Sequence, residues 1–235
     1  MGYRLLKNTS WWAGLALLAG LSRLAAAGPA SETPSPPLGT SPPLREVLRG
    51  VENKYNGMKS MKAGFHQIYR QGGRVVRQEQ GTVYLSKPGR MRWEYENPEP
   101  KLFVTDGRQV FLFVPAENRV MESAIKQTED IKAPLAFLLG RLKFDEQFER
   151  METSPRFVPA EKGDFVFKAY SKKMAERLQW VLFEVSPSFE IRRLVASEVG
   201  GLETEFRFNG LEPNPPLADS MFQFTPPAGA EVVKE

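Results

Sequence analysis

Cysteine is absent from the 235 residues. That excludes disulfides, thiolate metal sites and a cysteine nucleophile, and it excludes a lipid-modified cysteine at the start of a processed chain. Histidine occurs once, at His66, which rules out a multi-histidine metal centre. Lying on a predicted strand among Phe65 and Ile68, His66 reads as structural. No glycine-rich phosphate loop, nucleophile elbow or HExxH occurs, so the common signatures of nucleotide, hydrolase and zinc-protease chemistry are missing. Glu94 and Glu96 share a strand face, but so do Arg90 and Arg92. The four read as a solvated charge ladder rather than as carboxylates facing each other across a glycosidase cleft. No enzyme, metal or cofactor is expected.

Neither charge sign dominates: 32 basic side chains stand against 28 acidic ones. Arg4 and Lys7 precede an apolar stretch from Trp11 to Leu21, and Ala25, Ala26 and Ala27 follow. That order predicts a secretory signal peptide over residues 1–27, cut after Ala27. A membrane anchor would need roughly 20 unbroken apolar residues, and Arg23 interrupts this run. Removing residues 1–27 takes away Arg4, Lys7 and Arg23, leaving 29 basic and 28 acidic groups, a balance of +1. No basic tract is interleaved with aromatics, so no nucleic-acid partner is expected. The expected product is soluble, exported to the periplasm and not itself lipidated.

Residues 28–43 (GPASETPSPPLGTSPP) carry scarcely any apolar side chain and cannot offset the entropy of ordering, which predicts a disordered spacer. The domain is expected over 44–235. Ser41 is placed as an N-cap with proline in the first turn, and Leu44, Val47, Leu48, Val51, Tyr55 and Met58 recur at helical spacing to about Lys59. From Ala63 the period changes to two. Gly72-Gly73 predicts a hairpin turn, and strands follow at about 74–86, 90–96, 101–105, 109–114 and 119–123. A second helix is predicted near 130–142. Further strands are predicted at 144–151, 164–170, 179–185, 191–197, 203–209 and 221–224. Turn signals every 8–12 residues argue for a mainly β chain, an antiparallel sheet curling toward a barrel. Sixteen Phe, four Trp and six Tyr supply a core, and two helices over an incompletely filled barrel would leave an apolar cavity.

Residues 81–115 read GTVYLSKPGRMRWEYENPEPKLFVTDGRQVFLFVP. The run K-P-G-R-hydrophobic-R-W-x-Y, a proline break, V-x-D-G and an aromatic strand ending in proline resembles the LolA-type outer-membrane lipoprotein carriers. Phe65-His66-Gln67, the Ala133–Leu139 run and Phe222-Gln223-Phe224-Thr225-Pro226-Pro227 extend the resemblance over about 44–233. It implies an incomplete antiparallel barrel, strongly curved, under a helical lid that covers a hydrophobic cavity. It also implies a periplasmic chaperone that carries acylated lipoproteins from an inner-membrane ABC-type transporter to an outer-membrane acceptor lipoprotein, acting as a monomer. A carrier of another lipid or glycolipid, or a partner-binding periplasmic sensor, could share the fold. On this resemblance Met91 and Trp93 are cavity-wall candidates; Val83 and Leu85, by strand alternation, and Phe111 and Phe113, on the aromatic strand, are the others, with Leu135, Leu138 and Leu139 under the lid. Lys87 falls where many members hold the lid with arginine. Lysine lacks the planar multi-donor fork, so a weaker or differently paired latch is expected.

Overall fold

A computed structural model describes residues 42–124, 141–171 and 174–234. The expectations for residues 1–41, for the helix near 130–142 and for Leu135, Leu138 and Leu139 therefore fall wholly or largely outside the described residues. Helix α1 covers Leu44–Gly57. Its i, i+4 spacing puts Val47, Val51 and Tyr55 on one buried side. Glu46 in the first turn and Lys54 in the last complement the helix dipole. Pro43, not Ser41, occupies the N-cap position and supplies no side-chain cap. Proline suffices to start the helix, because the amide it lacks would have no partner there.

Twelve strands follow in one sheet: β1 (Ser60–Gln71), β2 (Arg74–Ser86), β3 (Arg90–Asn97), β4 (Lys101–Thr105), β5 (Gln109–Val114), β6 (Arg119–Ala124), β7 (Arg150–Glu152), β8 (Phe165–Tyr170), β9 (Leu178–Val185), β10 (Ile191–Glu198), β11 (Leu202–Pro213) and β12 (Glu231–Lys234). Their spatial order is β12-β6-β5-β4-β3-β2-β1-β11-β10-β9-β8-β7. Consecutive strands mostly pair as neighbours. The long β1 joins the β2–β6 half to the β11–β7 half, pairing β2 on one side and β11 on the other. Gly72 and Gly73 both have positive φ, 57° and 78°, as the tightest two-residue hairpin requires. The end strands β12 and β7 are not paired to each other, so the described sheet stays open.

One face of this sheet carries the core, in which α1 packs with Met61, Ala63 and Phe65 of β1, Val83 and Leu85 of β2, Met91 and Trp93 of β3, and Phe183, Leu194 and Phe206 of the other half.

Three expectations need correction. The predicted strand at 144–151 is instead a one-turn helix α2 (Phe144–Gln147) followed by the short β7. Phe144 and Phe148 are four apart, a spacing that suits one helical turn as well as a strand, and their rings stack 6.0 Å apart against Phe183, which selects the turn. The predicted strand at 221–224 is a 3-10 turn over Asp219–Phe222. It docks on β3 through side chains: Arg90 meets Asp219 at 2.5 Å, and Arg92 donates to the Met221 carbonyl at 3.0 Å. The arginine end of the charged face of β3 is thus covered rather than solvated. The last strand is β12, which runs parallel to β6, with Glu231 opposite Arg119. Asn118 fixes it, donating to the Gly229 carbonyl and accepting from the Glu231 amide.

Candidate functional site

Four of the predicted wall residues come together. Val83 lies opposite Trp93, and Leu85 opposite Met91. All four are at most 3% exposed. Residues paired across a sheet share a face, so Ala63 and Met61 join them from β1, Phe103 from β4 and Leu112 from β5. Phe65 packs edge-on against Trp93 at 4.6 Å and Tyr95 at 5.0 Å, and Phe206 and Phe208 close on Trp93 at 5.7 and 6.5 Å. Each such aromatic pair is worth about 0.5–1.5 kcal/mol beyond its area burial. The result is a wide apolar surface centred on one indole.

Phe111 and Phe113 do not belong to that wall. Phe111 is registered with Val104 and through it with Arg92; Phe113 is registered with Leu102 and through it with Glu94. Both therefore stand on the opposite face, where Phe224 covers them at 5.4 and 5.8 Å. In QVFLFV every residue after Gln109 is apolar, so alternation defined two faces without saying which was inside. The wall residues of β5 are Val110, registered through Thr105 with Met91, and Leu112.

Lys87, at the β2–β3 turn, donates from Nζ to the Tyr55 carbonyl at 2.5 Å, binding the sheet to the last turn of α1. Burial pushes its ammonium below the ordinary lysine range, since a charge there loses hydration. Other contacts that the sequence did not signal fix α1 further. The Asn56 amide donates to the Leu142 carbonyl and accepts from the Leu142 amide, both at 2.8 Å. Glu52 accepts from the Phe144 amide at 2.8 Å, and Tyr55 Oη accepts from the Ile191 amide at 3.0 Å.

Further along the same face, toward the β1–β2 and β3–β4 turns, lies a polar network also unread from sequence. Glu79 is nearly sealed from solvent. It takes Lys101 and Arg77 at 2.5 Å each and a hydrogen bond from Tyr69 at 3.3 Å. Gln67 links Tyr69 at 2.6 Å to Tyr95 at 3.1 Å. Burial raises the phenols of Tyr69 and Tyr95 well above the usual tyrosine range, and the Glu79 carboxylate adds to it. The signal was present as polar residues at alternate inward positions (67, 69, 79), but nothing local shows that they meet.

Among the described residues no group of acidic and histidine side chains could hold a metal, and no helix is long and apolar enough to cross a membrane. His66 faces away from Phe65 and borders a hollow of about 410 Å³ with Gln80, Thr82, Glu96 and Asn209.

The family model described as outer membrane lipoprotein carrier protein LolA matches residues 56–225. The chain belongs to the LolA family. This family is one of carriers, not enzymes, and its name makes lipoproteins the cargo. The outer-membrane lipoprotein carrier protein of Dechloromonas aromatica (strain RCB) is 30% identical over 197 residues, 82% of this chain and 91% of its own. That of Legionella pneumophila (strain Lens) is 30% identical over 188 residues, covering 79% and 88%. Among solved structures, an uncharacterized conserved protein from Thermus thermophilus superimposes with a TM-score of 0.53 at 16% identity, over 81% of this chain and 98% of that one. That likeness is one of fold.

Proposed function

We propose that this LolA-family carrier holds the acyl chains of lipoproteins against the Val83–Leu85–Met91–Trp93 surface and ferries them through the periplasm from the inner to the outer membrane. In this reading residues 1–27 are an export signal, 28–43 a spacer and 44–235 the carrier. An inner-membrane ABC-type transporter loads the cargo and an outer-membrane acceptor takes it.

The observation that carries the proposal is the apolar surface itself, centred on Trp93 and covered by a helix that a single Lys87 hydrogen bond fastens to the β2–β3 turn. An acyl chain leaving a membrane for water loses about 0.8 kcal/mol per methylene, and a surface of matching apolarity restores most of it. Release demands a cover that yields; on the β2–β3 side α1 is held by one lysine donor, which yields more easily than a forked guanidinium, while Asn56, Glu52 and Tyr55 keep its other contacts.

Binding of a fluorescent fatty acid and of a diacylated peptide tests it directly. Saturable binding by the wild-type protein, lost in Trp93→Glu and Met91→Glu, is the expected result. Failure of the folded wild-type protein to bind either ligand refutes the reading. Preferential competition by phospholipid or glycolipid over acylated peptide would assign the surface to another lipid.

A further inference from the structure

Strand β11 runs to Pro213, and on one side β1 stays with it to the pair Met61–Pro213. On its other side β10 pairs with it only between Ser197–Glu203 and Arg193–Arg207. Beyond that pair the two strands part. Gly210 has a φ of +58°, and the β1–β11 register shifts between Lys62 and Gly64. Such a bulge twists a strand away from its neighbour. The Ile191 amide, at the start of β10, bonds to Tyr55 Oη. Among the described residues the β10-side edge of β11 is therefore open over Phe208–Glu212, roughly 14 Å of strand at ~3.4 Å per residue.

A hollow of about 350 Å³ occupies the gap, with Ile191, Phe208 and Leu211 as its apolar part and Arg193, Arg207 and Asn209 at its polar part. Its arginines are already matched. Arg193 meets Glu184 at 2.6 Å, Arg207 meets Glu205 at 2.5 Å, and Arg192 meets Asp164 at 3.1 Å. A free phosphate or carboxylate would have to displace one of these partners. What the gap offers a ligand is main-chain hydrogen bonding along a strand edge beside apolar side chains, the requirement of an extended peptide. It is also continuous with the acyl surface, because the Phe208 ring stacks on Phe206 at 6.2 Å and both reach Trp93.

We propose that the β10–β11 gap is a second cargo contact, which takes the extended polypeptide segment directly following the acylated residue and holds it along the open edge of β11. This rests on the acyl-carrier reading above: the chains lie on Trp93, and the peptide they are attached to leaves past Phe208.

The test compares two ligands of identical diacylglyceryl-cysteine head, one ending there and one continuing for ten uncharged residues. Two or so main-chain hydrogen bonds make the longer ligand about tenfold tighter for the wild-type protein. Ala160→Trp, which fills the gap from the wall facing β11, reduces that advantage to under about twofold while affinity for the short ligand is unchanged. A benzophenone side chain at position 160 crosslinks to the peptide, and one at Gln109 does not. Equal affinity for the two ligands, or equal crosslinking from 160 and 109, overturns the inference and leaves the acyl reading standing. Binding of neither ligand overturns both.

Discussion

Lys101 Nζ stands 2.5 Å from Glu79 Oε1 and 4.4 Å above the Tyr95 ring. One ammonium thus ties a buried carboxylate of β2 to the aromatic face of β3. Breaking one partner of a buried ion pair costs more than the pair itself contributes, because the other charge is stranded. Glu79→Ala strands Lys101 and is expected to lower the unfolding free energy by about 3–5 kcal/mol. The double variant Glu79→Leu, Lys101→Met should be markedly milder. Urea denaturation of both decides it; equal losses would show that the network is not coupled.

The Lys87 contact to the Tyr55 carbonyl makes a kinetic prediction. Charged hydrogen bonds contribute about 1.5–3 kcal/mol, and this one is half-buried. Lys87→Ala should speed amide hydrogen exchange in the last turn of α1 severalfold, while exchange in β8–β10 stays unchanged. Lys87→Arg should restore protection. Unaltered α1 exchange in Lys87→Ala would remove the latch role.

Trp93 and Phe111 separate packing from binding. Truncating either ring to alanine should destabilise the fold, by about 3–5 kcal/mol for the fully buried Trp93 and less for the partly exposed Phe111. Only Trp93→Ala should also weaken fatty-acid binding, because Phe111 lies under Phe224 on the other face. A fluorescence titration of the folded Phe111→Ala variant should return a Kd within twofold of wild type. A large loss there would reverse the assignment of faces.

Glu205 predicts a pH dependence. Burial alone would raise its pKa, but hydrogen bonds from Arg207 and Arg70 and their charges outweigh burial and hold it below the ordinary glutamate range. Between the folded and unfolded pKa values the unfolded chain binds more protons, so stability rises with pH there. Its contribution is complete above the unfolded value of about 4.3 and is lost as pH falls through the folded one. Melting temperatures of wild type and Glu205→Gln should therefore differ at pH 7 and converge in acid. A constant gap across that range would contradict the ion-pair account.

Most of the sheet was legible from the sequence, because period two and turn signals such as Gly72-Gly73 are local and read within a few residues. The shared face of Val83, Leu85, Met91 and Trp93 followed from them. The readings failed where apolar residues crowd. At 144–148 a phenylalanine pair four apart fits one helical turn as well as a strand, and packing on Phe183 decided it. In β5, apolar residues on both faces left the inner one undetermined until the 219–224 segment covered Phe111 and Phe113.

The sequence by itself determined the class of this protein: a cysteine-free, mainly β chain whose ordered motifs from Gly81 to Pro115 mark the LolA family. Alternation and turn chemistry act over neighbouring residues and survive in one dimension. The tertiary structure decided which apolar face is the core, that Lys87 meets the Tyr55 carbonyl, that Glu79, Tyr69 and Lys101 converge, and that β10 leaves β11 at Arg207. Each of these joins atoms from different strands or helices, and only folding sets their distance.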